Sequence, residues 1–202
     1  MKLYTQPVKR VKIGFFSLRL HTSYQAVLKC YEIFSDDILT EFEKIDACLS
    51  LLVRAKIVLW FLSPQQKLHL FHKIFKEFID IPGKKKESVE KLFDFNQDAG
   101  FIYSSFWQCY HIDLIKKDKN LHWWSFISLF NGLSDDTKMM QILSIRSRPL
   151  PKPTKYNQEE RRQLIRLKQL YRLEISEEER KEQFQKGLEK IASTLYRLAE
   201  RS

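Results

Sequence analysis

The chain has 202 residues, enough to bury one domain core and to carry an appendage. Its apolar fraction of 44% and aromatic fraction of 13% exclude a wholly disordered protein. The longest unbroken apolar run, residues 57–62, is far shorter than the roughly 20 residues of a membrane-spanning helix, and no signal peptide is apparent. We therefore expect a soluble protein that stays inside the cell, with a net charge of +10 that favours acidic partners.

The first predicted element is a small β-hairpin. Apolar and polar side chains alternate on both sides of Gly14, with Val11 and Ile13 before it and Phe16 and Leu18 after it. An apolar side chain at every second residue is the pattern of a β-strand with one buried face.

Helices follow, because a recurrent start signal leads into apolar residues at three-and-four spacing. In this signal a side-chain oxygen caps the first N–H groups, and a Glu or Gln three positions later reaches back. It occurs at Thr22, Thr40, Ser63, Asp94, Asn157 and Ser176. The pattern predicts a mainly α protein: a helical bundle with a small N-terminal β-hairpin and a C-terminal helical appendage. Residues 54–62 are compatible with a strand or a helix.

Residues 120–146 predict two helices, the first closed by Gly132 and the second capped by Ser134. Their outline is that of a helix-turn-helix. However, Asp135 and Asp136 would repel phosphates at the turn that enters the DNA groove. A helical hairpin without a DNA role is the favoured interpretation.

Three prolines between residues 149 and 153 exclude a helix and indicate an extended spacer. We therefore predict a hairpin plus helical core domain over residues 1–148 and a proline-rich linker over 149–156. A two-helix segment over 157–202 forms the appendage.

No group of residues predicts catalysis, a cofactor or a bound metal. His69 and His72 share one helix face, but no third ligand lies nearby. Cys30, Cys48 and Cys109 lie far apart in apolar segments, which predicts buried free thiols rather than a disulfide or a zinc site. Glycine is too scarce for a phosphate-binding loop. We expect a non-enzymatic protein that acts by binding.

Three candidate binding surfaces remain. The last helix carries an apolar seam at coiled-coil spacing, which a partner helix or a second copy can cover. The seam consists of Phe184, Leu188, Ile191, Leu195 and Leu198. Trp123 and Trp124 belong to an aromatic cluster that serves either as a partner anchor or as core. A basic patch favours acidic partners and leaves open unspecific nucleic-acid contact. The patch consists of Arg161, Arg162, Arg166, Lys168 and Arg172.

Five sequence blocks follow one another along the chain in a distinctive order. They read D-F-x-x-D-A-x-x-I-Y-x-x-F from Asp94, I-D-L from Ile112, L-H-W-W-x-F-x-x-L-F-x-G-L from Leu121, I-x-x-I-R-S from Ile142 and L-K-x-L-Y-x-L from Leu167. With the run 24–52, they resemble the gene-product-fifteen family of siphophages and prophages of Gram-positive bacteria over residues 20–173. The Leu-His-Trp-Trp block is the most specific part.

The resemblance implies a product of the tail-morphogenesis genes, acting in the cytoplasm of the bacterial host. Such proteins are assigned as tail assembly chaperones, which keep the long helical tape-measure protein soluble until the tail tube polymerises around it. Expected partners are the tape-measure protein, other tail proteins or a second copy, without a membrane. The alternatives are a structural tail component retained in the virion and a basic nucleic-acid-binding regulator. No catalytic residue or cofactor carries over, and residues 54–86 are more basic and aromatic than the family pattern.

Overall fold

A computed structural model describes residues 9–13, 16–79, 92–116 and 121–174. Within these residues the chain forms eight α-helices and one two-stranded sheet, so the predicted mainly α fold with a small N-terminal hairpin is confirmed. The described residues separate into two compact units, the first within residues 1–91 and 98–141 and the second within 92–97 and 142–202. None of the helices described is both long enough and apolar enough to cross a membrane.

The hairpin forms as its alternating pattern predicts. Strand β1 (Arg10–Ile13) pairs antiparallel with β2 (Phe16–Arg19), and Val11 lies opposite Leu18. Both of these side chains are buried, while the polar residues beside them are exposed. The hairpin therefore contributes one apolar face to the core of the first unit.

Six helices belong to the first unit, and a π-helical turn over Phe75–Ile79 continues the fourth of them. They are α1 (Tyr24–Phe34), α2 (Glu41–Leu52), α3 (Ile57–Trp60), α4 (Pro64–Ile74), α5 (Ala99–Tyr110) and α6 (Trp123–Asn131). Helix α7 (Lys138–Ser147) begins in the first unit and ends in the second.

Side-chain caps fix several of these helix starts. Thr40 and Ser63 each form the predicted reciprocal capping box, at the start of α2 and α4. The predicted cap at Thr22 is wrong by one residue, because the Ser23 hydroxyl accepts the hydrogen bond at the start of α1. Local sequence therefore sets where these helices begin.

Two later helices begin further along than predicted. The Asp94 carboxylate accepts hydrogen bonds from the N–H groups two and three residues on, so it closes a turn and does not cap α5. The buried Thr137 hydroxyl donates to the Ser134 carbonyl at 2.7 Å, and this turn delays α7 to Lys138. Gly132 ends α6 as predicted.

The core of the first unit is rich in aromatic rings. Phe126 stacks on Tyr24 with ring centroids 4.6 Å apart and on Phe106 with centroids 5.2 Å apart. Aliphatic side chains from α2 and α4 complete the core, including Leu49, Leu52, Leu70 and Ile74. Aromatic side chains thus supply much of the packing in this core.

The second unit is held together by hydrogen bonds between distant segments. The Arg146 guanidinium donates to the Leu92 carbonyl at 3.0 Å and to the Tyr171 carbonyl at 2.6 Å. The Gln97 carboxamide pairs with the backbone of Glu174, donating to its carbonyl at 2.9 Å and accepting from its N–H at 2.8 Å. These bonds fasten the residues that follow the C-terminal end of α8 (Gln158–Leu170) to residues 92–97.

The proline-rich segment 149–156 lies within this second unit. Arg161 donates to the Pro151 carbonyl at 2.6 Å, which joins the segment to α8. Asn157 precedes α8 as predicted, but its carboxamide accepts from the Thr154 N–H and does not cap the helix. The division into a domain, a linker and a two-helix segment stays a prediction, since residues 175–202 lie outside those described.

Candidate protein-binding surface

Trp123 and Trp124 lie at the start of α6, against the π-helical turn. Trp123 is 3% exposed, and its indole N–H donates to the Ile79 carbonyl at 3.1 Å. The indole N–H of Trp124 donates to the Phe78 carbonyl at 2.7 Å. A π-helical turn ends with carbonyls that lack a regular helical partner, and the two indoles satisfy them. Both tryptophans therefore stabilise the first unit, while their role as partner anchors stays a prediction.

The rest of the Leu-His-Trp-Trp block connects α1 to α6. The Leu121 carbonyl accepts from the Tyr24 N–H at 3.0 Å, and the Thr22 carbonyl accepts from the Trp123 N–H at 2.9 Å. His122 caps α6, since its Nδ1 accepts from the N–H two residues on at 3.1 Å. The block joins the start of α1, the π-helical turn after α4 and the start of α6, which gives this motif a structural role.

The predicted apolar seam of the last helix falls outside the described residues. It comprises Phe184, Leu188, Ile191, Leu195 and Leu198. Its role in binding a partner or a second copy stays a prediction.

The predicted basic patch on and after α8 is only partly available to a partner. Arg161 donates to a backbone carbonyl, and Lys168 donates to the Arg146 carbonyl at 2.7 Å. Arg162 lies 3.7 Å from a Glu159 carboxylate oxygen, with both side chains largely exposed. Arg166 and Arg172 are exposed. Binding of nucleic acid or an acidic partner by this patch stays a prediction.

The candidate reactive groups do not converge. Both His69 and His72 are exposed, and among the described residues no three His, Cys, Asp or Glu side chains are grouped so as to hold a metal ion. Cys30 and Cys48 are buried as predicted, and Cys109 is half-buried. The hydrogen bond with Cys48, together with burial, raises the pKa of the Cys30 thiol. The same hydrogen bond lowers the pKa of the Cys48 thiol. A thiol held neutral is a poor nucleophile and a poor metal ligand, so Cys30 acts in packing.

An exposed apolar surface lies instead on the short helix α3. Ile57, Trp60 and the adjoining Phe61 are 66%, 85% and 82% exposed. Their spacing of three and four residues places them on one face, and we call these three side chains the α3 surface. Leu59 is buried and anchors the helix to the core. Large apolar side chains exposed together in this way mark interaction sites.

A groove of about 370 Å³ lies beside the α3 surface. It is lined by Asp46, Ser50, Lys56, Ile57, Leu59, Trp60 and Lys67. Lys67 forms an ion pair with Asp46 and lies over the ring of the partly exposed Phe42, with its Nζ 5.8 Å from the ring centroid. The groove thus extends from α3 to α2 and α4, and it is concave enough to receive a side chain.

The edge of this surface is positively charged. Arg54 and Lys56 are exposed, and neither forms an ion pair within the described part of the chain. Burial, together with the positive charges of Arg54 and Lys56, lowers the pKa of His21. The one aspartate lining the groove, Asp46, is neutralised by Lys67. An acidic partner therefore meets uncompensated positive charge here.

The sequence alone does not single out α3 as a binding surface. Six consecutive apolar residues, 57–62, show no period, so the sequence does not reveal which side of this segment faces the core. The one signal in the sequence is that residues 54–86 are more aromatic and basic than the family resemblance leads one to expect. Excess aromatic residues beside basic ones in a short segment indicate a surface contact.

Comparison with known proteins gives a match at the level of the family. A search of curated proteins and a search of solved structures each returned no match. The family model described as "Bacteriophage Gp15 protein" matches residues 7–173, which is most of the chain. The protein therefore belongs to the Bacteriophage Gp15 protein family, which indicates a phage structural or morphogenesis protein.

Proposed function

We propose that this protein is a non-enzymatic tail assembly chaperone that binds the helical tape-measure protein during tail morphogenesis, in the cytoplasm of the bacterial host. The observation that carries the proposal is the α3 surface. Three large apolar side chains on one helical face stay in contact with water unless another molecule covers them. Membership in a phage family supports a role in particle assembly.

The mode of binding follows from the shape of the surface. A helical client can lay its apolar side chains along α3 and insert one of them into the adjoining groove. This is helix-in-groove recognition, which reads side chains at i, i+3, i+4 and i+7 of the bound helix. A tape-measure protein, as a long helical chain, offers many such segments.

The affinity of one such site is modest. Burial of a large apolar side chain is worth about 1.5–3 kcal/mol, so the α3 surface contributes roughly 5–9 kcal/mol. Association itself costs about 4–15 kcal/mol. One site therefore binds weakly, which suits a chaperone that must release its client. Many copies along one client hold it by avidity.

Co-expression with the tape-measure protein of the same phage tests the proposal. We expect the wild-type protein to raise the soluble fraction of the tape-measure protein and to co-purify with it. The double variant Trp60→Ala/Phe61→Ala should lose most of both effects, because it removes the two most exposed rings of the α3 surface. Ile38→Ala is the matched control, since Ile38 is an exposed apolar residue outside this surface. A tape-measure protein whose solubility does not respond to the wild-type chain contradicts the proposal.

Mass spectrometry of purified phage particles separates a chaperone from a tail component that stays in the virion. A chaperone is released before assembly ends, so we expect its peptides to be absent from the particles. Stoichiometric recovery from the particles would instead assign the protein to the virion structure.

A further inference from the structure

The apolar part of the α3 surface defines the form of its partner. Ile57, Trp60 and Phe61 form a short ridge with helical spacing, and the groove beside Trp60 reaches α2 and α4 through Ser50 and Lys67. A ridge next to a groove is complementary to an amphipathic helix, whose own ridge of side chains fills the groove.

The charged part defines the partner's charge. Arg54 precedes the ridge by three residues, Lys56 lines the groove, and both are exposed. Asp46 already has an ion-pair partner in Lys67, so it does not compensate them. Carboxylates on a docked helix gain Coulomb energy against Arg54 and Lys56, and they steer its encounter with the surface.

Two other occupants fit less well. A symmetric dimer built on this surface would bring Arg54 and Lys56 of both copies into one interface, and these like charges repel. An anionic lipid surface matches the charge, but it presents no side chain to fill a groove of about 370 Å³.

We infer that the α3 surface docks an acidic amphipathic helix of a partner protein, with apolar residues of that helix on Trp60, Phe61 and the groove, and carboxylates facing Arg54 and Lys56. The inference rests on the proposed function, because it specifies which segments of the helical client the chaperone binds. Acidic stretches are bound at α3, and equally apolar basic stretches are not.

Two synthetic peptides of about 20 residues test the charge preference. Both carry the same leucine ridge, flanked by glutamates in one peptide and by lysines in the other. In fluorescence anisotropy with the full chain, we expect the glutamate peptide to bind at least about tenfold more tightly at low salt. The difference in affinity between the two peptides should shrink as the salt concentration rises, because the charges of Arg54 and Lys56 are exposed to solvent.

Variants locate the site. Trp60→Ala/Phe61→Ala should weaken glutamate-peptide binding by at least about tenfold, as expected for a pair of hot-spot rings. Arg54→Glu/Lys56→Glu should reverse the preference between the peptides. Lys29→Glu/Lys76→Glu makes the same change in net charge at exposed positions elsewhere in the first unit and should change the preference little. Circular dichroism of each variant checks that the fold is retained.

Three results would overturn the inference. The first is equal affinity of the chain for the two peptides. The second is a Trp60→Ala/Phe61→Ala variant that binds the glutamate peptide as tightly as the wild type does. The third is Trp60-dependent binding of the chain to phosphatidylglycerol vesicles in preference to either peptide. If the tape-measure protein is kept soluble in co-expression while the peptides do not discriminate, the inference fails and the chaperone function stands. If the glutamate peptide binds at α3 while the tape-measure protein does not associate, the proposed function fails instead.

Discussion

The change Trp123→Phe tests whether the first tryptophan of the Leu-His-Trp-Trp block stabilises the fold. It leaves the buried Ile79 carbonyl without its indole donor, which costs about 1–3 kcal/mol. The smaller ring also leaves a cavity of roughly 40 Å³, which at about 24 cal/mol per Å³ adds about 1 kcal/mol. We therefore expect the free energy of unfolding to fall by about 2–4 kcal/mol. That is a large part of the 5–15 kcal/mol of a typical domain.

Urea unfolding followed by far-ultraviolet circular dichroism measures this change without relying on tryptophan emission. With a slope of roughly 2 kcal/mol per molar urea, the midpoint should fall by about 1–2 M. Trp107→Phe is the matched control, because Trp107 is half-exposed and should cost less than about 0.5 kcal/mol. Equal losses of unfolding free energy in the two variants, or a Trp123→Phe protein with an unchanged urea midpoint, would refute the structural role of Trp123.

Three further changes test local features of the first unit. Ser105→Ala should cost about 1–2 kcal/mol in urea unfolding, because the buried Ser105 hydroxyl accepts from the Met139 N–H at 3.1 Å; a cost below about 0.5 kcal/mol would mean that another acceptor replaces it. His111→Gly should raise the free energy of unfolding by about 0.5–1 kcal/mol, and the thermal midpoint with it, because His111 ends α5 with a φ of 51°; a lower midpoint would contradict this. Hydrogen bonds from the hydroxyl and N–H of Thr40 lower the pKa of Glu43, so its contribution is present above the usual glutamate pKa and is lost as the pH falls through the lowered value. Glu43→Gln should therefore destabilise the protein more at about pH 7 than at about pH 3, and an equal effect at both would exclude this role.

Features encoded by neighbouring residues could be predicted from the sequence. The capping boxes at Thr40 and Ser63 need only residues three positions apart, so they mark the starts of α2 and α4 correctly. The alternation around Gly14 likewise predicts the hairpin and its buried face. At α5 and α7 the same reasoning fails, because Asp94 and Ser134 take part in turns before the helix and not in caps.

The candidate site depends on packing that the local sequence does not reveal. Leu59 and Trp60 are adjacent and both strongly apolar, yet one is buried and the other exposed. Which of them faces the core follows from where α2 and the start of α4 place the segment between them. Periodicity carries no information in an uninterrupted apolar run of six residues.

The tryptophan pair illustrates a second limit. Composition alone cannot separate a partner anchor from a core residue, because both uses favour a large ring with one polar group. The deciding partners of Trp123 and Trp124 are backbone carbonyls more than 40 residues earlier in the chain, at the π-helical turn after α4. No pattern around residue 79 predicts that turn.

Photo-cross-linking in the presence of the tape-measure protein tests most directly whether the α3 surface contacts a client. Benzoylphenylalanine replaces Phe61 in one sample and the even more exposed Tyr156 in another, and cross-linked peptides are identified by mass spectrometry. We expect cross-links to the tape-measure protein from position 61 and few or none from position 156. An absence of cross-links from position 61, or equal yields from the two positions, would contradict the assignment of the α3 surface as the site that binds the client.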